Sequence, residues 1–309
     1  MRRARPPATP ATPKPPPRTP PAARALPPAQ LGAAHQHATA LLRDAGVATP
    51  DADASWLLED VTGLSPARQR LVLHTPLNLA ARRRLARRLA RRAAREPLQL
   101  ILGETDFRGL RLRLRHGVLV PRPETEMLVE LALADLPPDL DATVLDVGCG
   151  SGAVALALAA ERPCARVLAS DTDPRALALT RRNARALGLP VRAVRADLLD
   201  HPRLRAAART ARLLLANLPY LPEADRAALP PELAWELPEA LLAGPDGLRL
   251  ARRLRAQAWR ALRPGAVAWW ELDPRNAGAF AREARMLGWR GVRLAPDLVG
   301  RRRFVRLLR

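Results

Sequence analysis

The chain has 309 residues, 48% of them hydrophobic, enough for one large domain plus a small one with a sizeable core. Its formal charge of +21, from 51 basic and 30 acidic residues, reads either as an anionic partner such as RNA or as the habit of an Arg-, Ala-, Pro- and Leu-rich chain in which Lys14 is the only lysine. No apolar run reaches the roughly 18 residues that span a bilayer, and Cys149 and Cys164 make neither a disulfide framework nor a metal cluster, so a reducing, cytoplasmic setting without a metal is expected.

Residues 1–29 hold many of the prolines and no acid. This low-complexity stretch is expected to be an extended, disordered tail. It has no apolar core region of the kind a secretory signal carries, and its prolines oppose the amphipathic helix of a transit peptide.

Residues 30–95 read as a small helical domain. His35 to Ala45 has apolar positions at helical spacing. Asp51-Ala52-Asp53 can cap a helix through Trp56, Leu57 and Leu58. Ser65-Pro66 starts another, and Asn78 caps a longer one through Arg95. Leu85, Leu89 and Ala93 give the longer helix one apolar stripe. Arg82–Arg84, Arg87, Arg88, Arg91 and Arg92 cover the rest, as a solvated face or a grip on an acidic or RNA partner.

Residues 96–123 read as a β-hairpin linker. Phe107 to Val120 alternates apolar and polar around Gly109 and His116-Gly117. Pro121-Arg122-Pro123-Glu124-Thr125-Glu126 then holds the chain extended before a helical run from Met127 to Leu136.

From Thr143 strand and helix alternate, the pattern of a mostly parallel sheet within a domain over 124–309. Strands are expected at Thr143–Val147, Arg166–Ser170, Val191–Arg195, Arg212–Ala216 and Ala266–Glu271, and helices at 152–161, 174–187, 245–262 and 275–287. Val292 to Leu308 can add two strands joined by Asp297–Gly300 that close the sheet antiparallel.

The first of these strands runs into Asp146-Val147-Gly148-Cys149-Gly150-Ser151-Gly152. Glycines let the backbone turn tightly and approach a ligand closely. Asp171 ends the second strand, where a carboxylate can accept both hydroxyls of a ribose. A nucleoside-bearing cofactor is therefore expected across these two strands. The G-x-G-x-G spacing, with Ala153 where a dinucleotide loop wants glycine, looks like motif I of S-adenosylmethionine-dependent methyltransferases. Asp197 and Leu198 end the third strand, where they can meet the adenine edge and ring.

Asn217-Leu218-Pro219-Tyr220 follows the apolar run Leu213–Ala216, and Tyr220 is the only tyrosine. Methyl transfer needs a nucleophile roughly 3–3.5 Å from the methyl carbon and in line with the sulfur. An amide or exocyclic amine is a poor nucleophile because its lone pair is delocalised. The Asn217 side-chain oxygen and the Leu218 carbonyl can accept its two N–H groups and favour a more pyramidal nitrogen. Tyr220 supplies an aromatic wall, and the proton can leave after transfer.

Taken together, these stretches resemble the release factor glutamine methyltransferases, the HemK-type protein N5-glutamine methyltransferases. The match runs through Arg95-Glu96-Pro97, Leu102-Gly103, Phe107, Val120–Glu126, Asp146–Gly152, Asp171, Asn183-Ala184, Asn217–Tyr220, Pro238–Leu241 and Gly244–Leu248. It covers about residues 30–309. The resemblance implies an α/β S-adenosylmethionine-dependent methyltransferase sheet behind a helical substrate-docking domain. It also implies methylation of the Gly-Gly-Gln loop of peptide chain release factors; a monomer is expected, with direct nucleic-acid binding possible but not required. Gly148, Cys149, Gly150, Ser151, Gly152, Asp171, Asp197, Leu198 and Asn217 would then hold S-adenosylmethionine, and Asn217, Leu218, Pro219 and Tyr220 the glutamine. Two departures stand out. Leu218 replaces the first proline of the usual Asn-Pro-Pro-Tyr, as in ribosomal RNA adenine dimethyltransferases, which keeps an adenine-N6 methyltransferase as the alternative. After Glu271 the chain reads Leu272-Asp273-Pro274-Arg275-Asn276, where the family often has Gly and Gln. A non-catalytic adaptor of the same fold is a further alternative.

Overall fold

The computed structural model describes residues 25–309, so most of the expected tail lies outside the described residues. They divide into two compact units.

The first unit comprises the described residues through Pro97, joined by Pro230–Leu237. It holds α1 (Leu31–Asp44), α2 (Pro50–Thr62), the single-turn α3 (Pro66–Gln69) and α4 (Leu79–Ala93). Two of these start at the expected caps. Ser65 Oγ accepts from the Arg68 amide at 3.4 Å, and Asn78 Oδ1 from the Ala81 amide at 2.8 Å. α2 starts one step earlier than its expected cap, with Thr49 before Pro50 at the first helical position. Asp53 is thereby inside the helix, and its carboxylate takes the buried Arg92 guanidinium of α4 at 2.6 Å. α4 buries Leu85, Leu89 and Ala93 and ends at Ala93; Arg95 stands beyond it at φ +64°. Several arginines of α4 and of the turn after it are spent inside this unit rather than on solvent. Arg84 donates to the Val61 carbonyl at 2.6 Å, Arg88 pairs with Asp60 at 2.5 Å, and Arg92 and Arg95 both reach Glu232.

The second unit comprises Leu98–Leu229 and Pro238–Arg309. It opens with α5 (Leu98–Leu102) and a hairpin of β1 (Glu104–Phe107) and β2 (Leu110–Arg113). This hairpin is shorter than the alternation through Val120 implies, because residues 114–122 form turns and extended chain. α6 (Pro123–Leu133) starts at Pro123 rather than Met127, which puts Glu124 and Glu126 in its first turn beside the positive end of the helix dipole.

The alternating part follows as β3 (Thr143–Val147), α7 (Ala153–Glu161), β4 (Arg166–Asp171), α8 (Pro174–Leu187), β5 (Arg192–Arg195), α9 (Pro202–Ala208) and β6 (Ala211–Ala216). Then come α10 (Arg249–Ala261), β7 (Val267–Glu271), α11 (Pro274–Met286), β8 (Arg290–Pro296) and β9 (Arg302–Leu308). The sheet order is β5-β4-β3-β6-β7-β9-β8. Its first five strands are parallel, and β9 runs antiparallel to both β7 and β8. α9 and the short 3-10 segments Glu223–Ala228 and Pro238–Ala240 have no counterpart among the expected elements. α10 starts at Arg249, not 245, because Gly244 and Gly247 hold the preceding loop at positive φ.

Alternate residues of the central strands serve two cores. Leu213 and Leu215 pack with Leu128 of α6 and Leu156 of α7, while Leu214 and Ala216 pack with Leu254 of α10 and Phe280 of α11. The chain winds from β3 out to β5, then crosses to β6 on the other side of β3. The switch lies between the carboxyl ends of β3 and β6, where open α/β sheets bind ligands.

Candidate active site

The glycine loop after β3 and the asparagine box after β6 meet at this switch. Gly148 takes φ +83°, and a β-carbon on it would stand 2.6 Å from Leu218 Cδ2, so loop and box touch through a residue that must lack a side chain. The Gly148 and Cys149 amides both donate to the Ser170 carbonyl of β4, at 2.8 and 2.9 Å. Asn183 of α8 ties the loop to the hairpin. Its Nδ2 donates to the Ser151 and Arg113 carbonyls and its Oδ1 accepts from the Arg113 amide, all at 3.0–3.1 Å.

Two carboxylates lie under the loop. Asp146 is buried and accepts from the Ala155 amide at 3.1 Å. Burial pushes its carboxyl up to about 7, with the Ala155 amide opposing and Asp171 adding to the rise. Asp171 accepts from the Gly150 amide at 3.0 Å and the Asp173 amide at 2.9 Å. Its pKa is also raised, chiefly by burial, with the Asp173, Gly150 and Thr172 amides opposing and the Asp173 charge adding to the rise. Burial lifts the Cys149 thiol well above its ordinary range, which makes it packing rather than a nucleophile.

Leu198 is buried and sits at φ +56°, a conformation that costs a branched residue energy and is most often kept at ligand sites. Asp197 is exposed, and its carboxylate pairs with Arg253 at 2.8 Å.

In the box, Asn217 Nδ2 donates to Thr125 Oγ1 of α6 at 2.9 Å. The Tyr220 hydroxyl points to Glu271 Oε1 of β7 at 3.4 Å. Burial, then the Glu271 charge, raises the Tyr220 phenol, so it stays protonated at neutral pH. Glu271 is 1% exposed. Burial pushes its carboxyl up to about 7, opposed by the Thr125 hydroxyl, Arg303 and Tyr220. The box is braced from behind. A β-carbon on Gly247 would lie 2.1 Å from the Tyr220 carbonyl oxygen, and Asn276 Nδ2 donates to the Asp246 carbonyl at 2.7 Å. Thr125, Glu271 and Asn183 are the residues whose place in the site the sequence did not disclose.

These features fit S-adenosylmethionine. The Gly150 β-position faces open space, with Val118 Cγ1 its nearest neighbour at 3.9 Å, so backbone there can approach a ligand. The half-buried Asp171 carboxylate, raised in pKa, is suited to hydroxyl donors. A sheet of this order, with a glycine loop ending β3, an acid ending β4 and an Asn-x-Pro-Tyr box ending β6, defines an S-adenosylmethionine-dependent methyltransferase.

Comparison with known proteins narrows this class. Residues 33–103 match the PrmC N-terminal domain and residues 144–235 a methyltransferase domain. The release factor glutamine methyltransferase of Deinococcus radiodurans is 46% identical over 88% of this chain and 96% of its own. Those of Cereibacter sphaeroides and Mycolicibacterium smegmatis are each 40% identical, over 85% and 89% of this chain and 93% and 96% of their own. The chain belongs to the release factor glutamine methyltransferase family. The hMettl16 catalytic domain, solved with the MAT2A 3'UTR hairpin 1, shares the fold with a TM-score of 0.54 at 18% identity, over 71% of this chain and 79% of its own.

Proposed function

We propose that this protein transfers the methyl group of S-adenosylmethionine to the side-chain N5 of the glutamine in the Gly-Gly-Gln loop of release factors, as a cytoplasmic monomer. The observation that carries the reading is the Asn217 amide. Its Nδ2 is committed to Thr125, so Oδ1 is the end left to a substrate N–H. The Leu218 carbonyl accepts no hydrogen bond among the described residues and is the second acceptor. Together they take both N–H groups of a glutamine amide, hold it at the methyl donor and favour a pyramidal nitrogen. Pro219 and Tyr220 wall the pocket, with Tyr220 neutral.

The Gly148–Gly152 loop, Asp171, Asp197 and Leu198, with Asn217, would hold S-adenosylmethionine. When bound, it supplies an electrophilic methyl on sulfur. Asp171 takes the ribose hydroxyls, and Leu198 packs on the adenine ring. Arg84, Arg88, Arg92 and Arg95 find partners within the first unit, so part of the large positive charge needs no nucleic acid. Among the described residues no helix is long and apolar enough to cross a membrane. The names of the curated relatives favour the glutamine over the adenine amine.

The test is incubation with methyl-labelled cofactor and a release factor, against its Gln→Ala loop variant and ribosomal RNA. Label on the factor, absent from the variant and lost with Asn217→Ala, is expected. Label on RNA alone would overturn the reading, and so would a chain that binds release factors but never labels one.

A further inference from the structure

The segment after β5 is a tight turn that holds an unusual residue. The Asp200 amide donates to the Asp197 carbonyl at 3.0 Å, which closes a four-residue turn. Leu198, its second residue, stands at φ +56°. A turn with positive φ at that place ordinarily takes glycine, asparagine or aspartate. A branched side chain there is strained and persists only where its surroundings hold it. Leu198 is buried, and Leu199 is only 2% exposed. The turn's own bond uses the Asp200 amide and leaves the Leu199 amide without a partner inside the turn. A buried amide needs one.

Helix α10 supplies it. Gln257 Oε1 accepts from the Leu199 amide at 2.9 Å. One helical turn earlier, Arg253 pairs with the Asp197 carboxylate at 2.8 Å. Residues four apart share a helix face, so α10 grips the turn on both sides of Leu198, at its first residue and at its third. Leu254 and Ala258 of the same helix share a buried core with Leu198 and Leu199. The two grips are not equal. The Arg253–Asp197 pair is exposed, its side chains 44% and 52% accessible, and such pairs contribute little. The Gln257 bond is partly buried, and the Leu199 amide has no other acceptor among the described residues. Removing it strands a buried donor, the more damaging loss.

We propose that Gln257 is a positioning residue for S-adenosylmethionine: it holds the strained turn after β5 so that Leu198 is set for the adenine ring before the cofactor binds. The inference rests on the reading of Leu198 as the residue that packs on adenine. Without the Gln257 acceptor, Leu198 is free to relax from positive φ. Ordering it again then falls to the binding step, which weakens affinity. The asparagine box stands at the end of β6 and is not held by this bond, so the loss appears in cofactor binding rather than in turnover. Only the oxygen of the Gln257 amide is used, and a glutamate carboxylate can accept the same N–H.

The experiment measures S-adenosylhomocysteine binding by calorimetry in Gln257→Leu, which keeps the bulk and removes the acceptor, and in Gln257→Glu, which keeps the acceptor. Gln257→Asn, polar but one methylene too short, is a second truncation should the leucine disturb folding, which melting temperatures report. Binding about ten-fold weaker than wild type is expected for Gln257→Leu and Gln257→Asn, the worth of one hydrogen bond to a buried amide. The KM for S-adenosylmethionine should rise in step while kcat is kept. Gln257→Glu should bind within about two-fold of wild type, since its acceptor remains. Leu198→Gly has no side chain to place against the ring, so adding Gln257→Leu to it should cost little more, the non-additivity of residues that act through one another. Wild-type affinity in a folded Gln257→Leu or Gln257→Asn protein overturns the proposal. So does Gln257→Glu binding as weakly as Gln257→Leu, or an equal loss from Gln257→Leu in both backgrounds. Wild-type affinity in Leu198→Gly overturns the adenine reading beneath it, a distinct failure.

Discussion

The side chain of Leu218 fills the space that a β-carbon on Gly148 would need, with Cδ2 2.6 Å from that position. Leu218 is buried, so it cannot swing aside into solvent. Gly148→Ala therefore meets two penalties: a left-handed backbone that costs about 1–2 kcal/mol for a residue with a β-carbon, and a clash with the box. We expect S-adenosylhomocysteine affinity to fall about ten-fold or more, since each 1.4 kcal/mol is a factor of ten. In a Leu218→Ala background only the backbone penalty should remain. Calorimetry on the four proteins of this double-mutant cycle checks it, with a coupling of about 1 kcal/mol expected for residues in contact.

What the sequence disclosed and what it hid divide along a physical line. Strands β6 and β7 lie in the interior of the sheet and are buried along nearly their whole length, so they read as continuous apolar runs. The glycine loop and the asparagine box are local, and their chemistry is written in consecutive residues. The hidden parts are side-chain pairs distant in sequence. Thr125 and Asn217 are 92 residues apart, and Arg92 and Glu232 are 140 apart. Such pairs leave no periodic trace. Asp53 was legible only as a local cap, although its partner lies on another helix. Nothing in the spacing around Leu218 announces that its side chain seats against Gly148. The loop at Gly244 to Leu248 continues the apolar spacing of α10, which hid the turn that two positive-φ glycines impose.

Asp146 should make the ligand-free protein less stable as pH rises. Its carboxyl is pushed up to about 7 from an ordinary 3.8. Between these values the native state holds a proton that the unfolded chain has released, so stability falls with pH across that window. The stabilisation is complete below about 4 and lost above about 7, a change on the order of 4 kcal/mol at most at 1.36 kcal/mol per pH unit. Glu271 adds a slope of the same sign, with its carboxyl also at about 7. Asp146→Asn should flatten the dependence. Melting temperatures of wild type and variant at pH 5 and pH 8 check this. Parallel curves would show that Asp146 is not the source.

Asp53 and Arg92 form a buried ion pair, with side chains 8% and 7% exposed. Removing one partner strands the other charge, at a cost of about 3–5 kcal/mol. Asp53→Ala should therefore destabilise the first unit by about that amount, reduced to the extent that Glu232 continues to hold Arg92. Asp53→Ala with Arg92→Met, which removes both charges, should recover most of the loss. Urea unfolding followed by far-ultraviolet circular dichroism checks the order of the three proteins. Equal stability of wild type and Asp53→Ala would mean that the pair contributes nothing net.

Gly247 lies behind the asparagine box, where an added β-carbon would come within 2.1 Å of the Tyr220 carbonyl oxygen and 2.9 Å of Asn276 Nδ2. The first neighbour is backbone and cannot rotate away, and φ of +74° already disfavours a side chain there. Gly247→Ala must therefore move either its own loop or Tyr220. Movement of Tyr220 carries Leu218 and Asn217 with it, because the box is four consecutive residues at a strand end. A misplacement of about 1 Å at a reacting centre costs on the order of 100-fold in rate. The cofactor loop, held by Ser170 and Asn183, does not hang on this contact. The expected signature is a kcat lowered on that order with S-adenosylhomocysteine affinity close to wild type. Asn276→Ala, which loosens the same brace without forcing it, should lower kcat less. A Gly247→Ala enzyme that loses cofactor binding in step with kcat would instead mean that the loop after Gly244 supports the whole switch region.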